Sequence, residues 1–300
     1  MSNFKSGFVS IIGRTNVGKS TLINSLVGEK VAITANKCQT TRTLIRAIIN
    51  RENAQIIFMD TPGIHKPKTK LGNTMLDTVW TSVPNSDVTI FLIDATSCKI
   101  GTGDRIILDK IKELKPKTIL VINKIDLIEK EKLLKLIEMY KDEYNFEAII
   151  PISATRNENT EAIIEEIEKL LPEGPEYYDV DEYTDQTWRQ IVEEVIREKA
   201  LKLLDEEIPH GIYVETQKMN LRKTTKKEDI YDIEAIIYAL RESHKGIIIG
   251  KKGEMLKKIG MYARKDLEKI FGTKVNLKIW VKVKENWQDN PSIVNKFKLK

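Results

Sequence analysis

The sequence predicts two domains, an α/β domain with a mostly parallel sheet followed by a smaller α+β domain. Three observations support this. The chain has 300 residues, about twice the usual length of one domain. Its first 170 residues alternate short runs of β-branched residues with amphipathic stretches of helical period. A break containing two prolines and a glycine then follows at 172–175.

The first domain is predicted to contain six strands with helices between most of them. The strands are Phe8–Ile12, Leu44–Ile49, Gln55–Met59, Val88–Ile93, Thr118–Ile122 and Ala148–Ile152, and the helices are Lys19–Val27, Asn73–Val83, Arg105–Leu114, Lys130–Tyr144 and Thr160–Leu171. This alternation favours a parallel sheet covered by helices on both faces. Only a short polar turn separates the second and third strands, so they should form an antiparallel hairpin at one edge.

The second domain is predicted to be a small mixed domain with the order α, β, β, α, α, β. Its elements are a helix at Trp188–Leu204, strands near Ile212–Lys218 and Tyr231–Leu240, a helix pair across Lys245–Phe271 and a strand at Lys274–Lys284. The predicted domain boundaries are 1–172 for the first domain, 173–186 for an acidic linker, 187–285 for the second domain and 286–300 for a tail.

Composition narrows the possible functions. No apolar run reaches 18 residues, so no transmembrane helix is expected, and Met1–Gly7 lacks the features of a secretory signal. Two cysteines, Cys38 and Cys98, suggest a reducing cytosol, and three scattered histidines argue against a histidine-rich metal site. Residues 217–300 carry 21 basic and 10 acidic side chains. This imbalance indicates either a polyanion-binding surface or a lysine-rich solvated one.

A phosphate-binding motif lies between the first predicted strand and the first predicted helix. It reads Gly13-Arg14-Thr15-Asn16-Val17-Gly18-Lys19-Ser20, with Thr21 next in the helix, and fits the pattern G-x-x-x-x-G-K-S. Backbone N–H groups of such a loop, together with the helix N-terminus, face a polyphosphate. Lys19 can reach the β- and γ-phosphates, and the Ser20 hydroxyl can ligate Mg²⁺.

Two further segments fit the same nucleotide site. Asp60-Thr61-Pro62-Gly63 follows the third strand, where the aspartate can hold a water of the Mg²⁺ shell and the Gly63 N–H can sense the γ-phosphate. Gln39-Thr40-Thr41-Arg42 offers a second hydroxyl for Mg²⁺. We select Thr41, although spacing alone does not separate it from Thr40.

The base-reading segment is Asn123-Lys124-Ile125-Asp126, which follows the fifth strand. A carboxylate at Asp126 can accept hydrogen bonds from the N1–H and the exocyclic amine of guanine, whereas adenine would leave it unpaired. Ser153-Ala154, after the last strand, can present a backbone N–H to the guanine O6. These features predict a site for GTP and GDP.

In the second domain, Gly250-Lys251-Lys252-Gly253 opens a helix within the basic quarter of the chain. A lone G-x-x-G arises often by chance, but this loop combines glycines, two lysines and a helix N-terminus, which together favour phosphates. The element order fits a type II KH domain, a module that clamps about four nucleotides of single-stranded RNA. Trp280 and Trp287 could also stack on bases, although strand tryptophans are more often structural.

These motifs, in this order, resemble the Era family of GTP-binding proteins over nearly the whole chain. The resemblance continues in the second domain at Ile196-Arg197-Glu198-Lys199, Ala263-Arg264-Lys265-Asp266-Leu267 and Leu277–Lys284. It implies a P-loop GTPase domain followed by a KH domain that binds the 3′ end of 16S ribosomal RNA during assembly of the 30S subunit. It further implies a cytoplasmic monomer that can associate peripherally with the inner membrane.

The resemblance also bears on mechanism. Asn16 matches an asparagine that ligates K⁺ in related potassium-dependent GTPases, where the ion replaces an arginine finger. Ile64 occupies the place of the water-positioning glutamine of many GTPases, so intrinsic hydrolysis should be slow. Thr15 replaces the proline common in the family, and the tail 290–300 lacks the expected arginine- and leucine-rich ending.

Other functions fit parts of the sequence. An RNA-binding assembly scaffold with a vestigial nucleotide pocket is the main alternative, although Lys19, Ser20, Asp60 and Asp126 are all intact. A phosphotransferase would need an acceptor site that the sequence does not show. A tRNA-modifying GTPase would need a cysteine or cofactor apparatus that is also not evident.

Overall fold

The structure, a computed structural model, describes residues 4–28, 31–34, 41–205, 208–225 and 227–297. The chain folds into two compact units whose main boundary lies between Asp185 and Gln186. The helices and strands of the first unit are β1 Lys5–Ile12, α1 Lys19–Val27, β2 Ile45–Asn50, β3 Ala54–Asp60, α2 Lys70–Ser82, β4 Val88–Asp94, α3 Thr102–Leu114, β5 Thr118–Asn123, α4 Lys130–Lys141, β6 Ala148–Pro151 and α5 Glu161–Leu170.

The first unit contains the predicted six-stranded sheet, with the strand order β2-β3-β1-β4-β5-β6. All pairs are parallel except β2 with β3, which forms the expected antiparallel edge. Hydrophobic clusters on the two faces bury the central strands against the helices. The carboxyl ends of the parallel strands therefore meet at one edge, where ligands bind in open α/β sheets.

Several helices begin or end at residues other than the predicted ones. Helix α2 begins at Lys70, three residues before the predicted start, because the Thr69 side chain caps it by accepting a hydrogen bond from the Gly72 N–H at 3.2 Å. Helix α4 ends at Lys141 rather than Tyr144. The periodicity of the sequence thus predicted which helices and strands form. The start of α2, by contrast, depends on a local cap.

The segment 173–185 lies along the outer edge of the first sheet. The Ile48 N–H donates to the Tyr183 carbonyl at 2.9 Å, and Arg46 pairs with Asp185 at 2.6 Å. The Gln55 side chain accepts hydrogen bonds from the backbone of Tyr177 and Tyr178. These contacts cover the open hydrogen-bonding edge of β2, which would otherwise be available for strand pairing.

The second unit has a three-stranded sheet with the order β7-β8-β9. Its elements are α6 Trp188–Leu203, β7 Tyr213–Lys223, β8 Asp229–Ala239, α7 Glu242–Ile249, α8 Glu254–Phe271, β9 Lys274–Val283 and a short α9 at Pro291–Val294. Strand β7 is longer than predicted because it pairs along its length with β8. Strand β9 pairs with β8 in parallel, and the three long helices share a hydrophobic cluster with the sheet.

Within the part of the chain that the structure describes, no helix is both long enough and apolar enough to cross a membrane.

Candidate functional site

The phosphate-binding loop 13–20 connects β1 to α1, and its backbone at position 18 has a conformation that favours glycine. Gly18 has a φ of 106°, and a Cβ there would lie 2.3 Å from the Asn123 side chain. Asn16 also has a positive φ, of 65°. The loop therefore turns tightly against the base-reading segment and leads into α1, as the motif requires.

Lys19 is almost fully buried beneath this loop. Its Nζ donates to the carbonyl oxygens of Gly13 at 3.1 Å and Arg14 at 2.9 Å. Burial lowers the pKa of Lys19 to about 8, although the nearby Asp60 charge acts in the opposite direction. A bound phosphate would stabilise the ammonium form, so this lysine is poised to gain from an anionic ligand.

Three oxygen atoms from separate segments converge beside Lys19. The Ser20 hydroxyl lies 3.0 Å from the Thr41 hydroxyl and 2.9 Å from Asp60 Oδ2, and the Thr41 hydroxyl lies 3.2 Å from the same Asp60 atom. Hydroxyl and carboxylate oxygens with few carboxylates form the ligand set that suits Mg²⁺. The residues present therefore fit a magnesium ion. Gln39 and Thr40 lie outside the described residues.

The segment after β3 packs tightly against the phosphate loop. The Thr61 hydroxyl donates to the Ile11 carbonyl at 2.6 Å, and Pro62 follows it. A Cβ on Gly63 would lie 2.8 Å from Thr15 Cα, so a larger residue there would displace the loop. The Ile64 side chain is buried in the hydrophobic cluster beneath, and it is thus directed away from solvent.

The base-reading segment is tied to both neighbouring loops. Asn123 Nδ2 donates to the Val17 carbonyl at 2.8 Å, and Asn123 Oδ1 accepts from the Ala154 N–H at 3.0 Å. The Ala154 N–H, predicted to face the guanine O6, thus bonds to Asn123 here. Ser153 Oγ donates to Asp126 Oδ1 at 2.7 Å, which orients the carboxylate predicted to read guanine.

The structure also identifies two supporting residues that the sequence analysis missed, Asp94 and Asp104. Lys124 Nζ donates to the Asn16 carbonyl at 2.9 Å and pairs with Asp94 at 2.5 Å. Burial would raise the pKa of Asp94, but hydrogen bonds from Lys124 and Thr96 outweigh it and lower the pKa.

The second missed residue is Asp104, whose buried carboxylate accepts from Arg14 Nε at 2.7 Å. Burial raises the pKa of Asp104, and Arg14 opposes this rise. The contact links the phosphate loop to α3. No local pattern could reveal it, because 90 positions separate the two residues.

The second candidate site is the loop 250–253 between α7 and α8. Gly250 has a φ of 73°, and a Cβ there would lie 2.7 Å from the Met255 Cβ. Lys251 and Lys252 are exposed, and α8 begins directly after Gly253. The loop thus presents two ammonium groups beside the N-terminus of an 18-residue helix.

Two of the other segments singled out in this domain meet in the structure. Lys199 on α6 forms an ion pair with Asp266 on α8. The fully buried Glu198 accepts hydrogen bonds from Lys199 at 3.1 Å and from Lys202 at 2.7 Å. These residues therefore join two helices rather than facing a ligand. Trp287 is likewise structural, since it is buried and its Nε1 donates to the Gly211 carbonyl at 2.9 Å.

Together these two sites define the class of the protein, a P-loop GTPase domain followed by a KH domain. A family model described as "50S ribosome-binding GTPase" matches residues 8–124, and a KH domain model matches residues 207–288. Over 98% of its length the chain is 50% identical to relatives that are GTPases of the Era family. It therefore belongs to the Era GTPase family, and it is a GTP hydrolase.

Similar proteins support this family over the full chain. GTPase Era of Caldanaerobacter subterraneus is 50% identical over 293 residues, covering 98% of this chain and 97% of the relative. GTPase Era of Clostridioides difficile is 50% identical over 295 residues, with 98% of each chain covered.

Two solved structures agree with the fold. One is Era in complex with MgGDPNP and nucleotides 1506–1542 of 16S ribosomal RNA, with a TM-score of 0.92, 41% identity and 98% of each chain covered. The other is a variant of Era from Aquifex aeolicus bound to GDP and AlF4⁻, with the same TM-score and identity, covering 98% of this chain and 99% of that one.

Proposed function

We propose that this chain is a Mg²⁺-dependent GTPase switch whose nucleotide state controls binding of the 3′ end of 16S ribosomal RNA during assembly of the 30S subunit. The observation that carries the proposal is the convergence of Ser20, Thr41 and Asp60 oxygens beside the buried Lys19. An Era of known structure binds both MgGDPNP and that RNA segment, and it matches this chain from end to end.

The residues around the triphosphate divide the work of hydrolysis. Lys19 and the backbone N–H groups of the loop 13–20 would stabilise charge on the β- and γ-phosphates, and Gly63 would contact the γ-phosphate. Ser20 and Thr41 would hold Mg²⁺ directly and Asp60 through a water. When bound, the ion neutralises developing phosphate charge. Water attacks the γ-phosphorus, and a P–O bond forms as the bond to the GDP oxygen breaks. The protons of the water pass to the released phosphate and to solvent.

Slow intrinsic hydrolysis is part of the proposal. Ile64 is buried in the core and has no polar group, so it can neither orient nor deprotonate the attacking water. Water must therefore be positioned by backbone, by a loop or by a partner. K⁺, held through Asn16, and bound ribosomal RNA are the proposed accelerators.

The base is selected at the other end of the site. Asp126 would accept hydrogen bonds from the N1–H and the exocyclic amine of guanine, and the Ser153 hydroxyl would orient the Asp126 carboxylate. Asn123 and Lys124 hold the base-reading segment against the phosphate loop. In the KH domain, Gly250, Lys251, Lys252 and Gly253 would contact the RNA backbone. A cytoplasmic monomer with peripheral contact to the inner membrane stays a prediction of the family resemblance.

The test is GTP hydrolysis by the full chain in Na⁺ and in K⁺ buffer, each with and without a 16S RNA 3′-end fragment. We expect slow turnover in Na⁺ alone and faster turnover with K⁺ and with RNA. Asn16→Ala should lose the acceleration by K⁺ but not the one by RNA. Equal rates in all four conditions would contradict the proposed activation.

A further inference from the structure

The outer face of the second sheet carries an unusual row of side chains on β9. Alternate residues of this strand point inward, where Leu277, Ile279 and Val281 pack against the helices. Between them, Lys278, Trp280 and Lys282 point outward and are exposed. The Trp280 side chain retains 44% of its accessible surface. A large indole is thus left in solvent between two ammonium groups.

Packing within the domain does not account for this row. Trp287 shows what a structural tryptophan looks like here, since it is buried and hydrogen-bonded. Lys274, on the same face of β9, is paired with Glu228 at 2.5 Å, whereas no ion pair of Lys278 or Lys282 occurs among the described residues.

The neighbouring strand places one carboxylate beside the row, whose net charge stays positive. Glu234 lies opposite Lys278, Ile236 opposite Trp280 and Tyr238 opposite Lys282. Lys284 adds a further cation over the Tyr238 ring, 5.3 Å from its centroid. Lysines on an edge strand discourage pairing with other strands, but an exposed tryptophan in the same row acts against that purpose because it adds an apolar surface.

The row has the features of a platform for single-stranded nucleic acid. Side chains two residues apart on one strand face are separated by about 6.7 Å, so Lys278 and Lys282 lie about 13 Å apart with Trp280 between them. This corresponds to about two phosphate intervals of a stretched strand. An aromatic ring stacks on any base, and flanking lysines contact phosphates.

We propose that Lys278, Trp280 and Lys282 form a second surface for single-stranded RNA, separate from the loop 250–253. Trp280 stacks on a base, and the two lysines contact the flanking phosphates. The helices that flank the loop 250–253 pack on the opposite face of the sheet. Because β9 is an edge strand, RNA leaving the loop reaches this row by crossing one strand edge. The row would therefore extend the length of RNA held beyond the loop itself.

The test compares the full chain with Trp280→Ala, using fluorescence anisotropy with labelled oligouridylates of four and twelve nucleotides. We expect the variant to bind the twelve-nucleotide RNA roughly tenfold more weakly, because stacking on one base is lost. Binding of the four-nucleotide RNA should not change. Trp280→Phe should restore most of the affinity, and Lys278→Ala with Lys282→Ala should lower the salt slope by about 1.4. Lys274→Ala is the matched control and should bind like the parent.

Three results would overturn the proposal. The first is unchanged binding of the longer RNA by Trp280→Ala. The second is an equal loss for both RNA lengths, which would indicate a structural role. The third comes from co-sedimentation with phosphatidylglycerol vesicles: if Trp280→Ala weakens binding to the vesicles and leaves RNA binding unchanged, the row is a membrane surface. This test is separate from the test of the loop 250–253. If Lys251→Ala and Lys252→Ala failed to weaken RNA binding, only the assignment of that loop as an RNA site would be refuted.

Discussion

The nucleotide site and the KH loop recognise anions in opposite ways. In the first, Lys19, Asp60 and Asn123 are buried, and Lys19 Nζ, Asp60 Oδ2 and the Asn123 amide are hydrogen-bonded within the site. In the second, Lys251 and Lys252 are exposed, and the backbone shape comes from glycines. One site therefore selects a single small molecule through buried groups that must all be matched, whereas the other holds a polymer by charge and shape.

This contrast predicts that a single substitution weakens ligand binding by different amounts at the two sites. A buried polar group left without its partner costs the full desolvation penalty, so single substitutions in the nucleotide site should have large effects. An exposed lysine contributes one screened phosphate contact, so its loss should be modest and dependent on salt.

The largest expected effect is at Asp126. Asp126→Ala should weaken GDP binding by roughly a hundredfold or more and should reduce the preference for GDP over ADP, because two hydrogen bonds to guanine are lost. The measurement is titration with fluorescent nucleotides. Asp126→Asn is the matched variant, and it should favour a xanthine nucleotide, whose C2 carbonyl accepts from the new amide. If Asp126→Ala bound GDP as tightly as the parent protein, this would contradict the claim that single substitutions in the nucleotide site have large effects.

The second prediction concerns the ionisation of Lys19. Its pKa is lowered to about 8 without ligand, and a phosphate would raise it, so binding takes up a proton above that pH. GDP affinity should therefore fall by about tenfold for each pH unit above 8. Calorimetry in buffers of different ionisation enthalpy measures the uptake.

Lys19→Arg provides the control for this pH effect, because a guanidinium stays protonated throughout the range while titration of the guanine itself is retained. The same pH dependence in both proteins would show that Lys19 is not its source.

The smallest effect is expected at the KH loop. Lys251→Ala and Lys252→Ala together should weaken RNA binding several-fold at moderate salt and lower the salt slope by about 1.4, since two phosphate contacts to a single strand are lost. Filter binding at several salt concentrations measures both quantities. Lys269→Ala, an exposed change in the last turn of α8, is the control. A hundredfold loss of RNA affinity that did not depend on salt would show that the two lysines are not exposed, screened phosphate contacts.

Much of the fold and of both candidate sites could be predicted because it depends on short stretches of sequence. The loop 13–20, the segment 60–63 and the segment 123–126 each combine a strand end with residues suited to one chemical task. Parallel strands bring their carboxyl ends to one edge, so the sequence alone assigns motifs far apart in the chain to one site.

Other features depended on contacts between distant residues. The Arg14–Asp104 and Lys199–Asp266 pairs join helices and loops whose sequences contain no sign of one another. The acidic segment 173–185 reads as a linker, yet it covers the edge of β2. Trp280 and Trp287 were indistinguishable by sequence, but Trp287 is buried and Trp280 is exposed.

The sequence by itself determined the chemistry of this protein, namely a phosphate loop, a guanine-reading carboxylate and a basic glycine loop, because such chemistry is encoded in residues adjacent along the chain. Only the tertiary structure decided which charged and aromatic side chains pack within each domain and which remain available to a ligand. The reason is that burial and ion pairing depend on neighbours supplied by other segments, and local patterns do not record those neighbours.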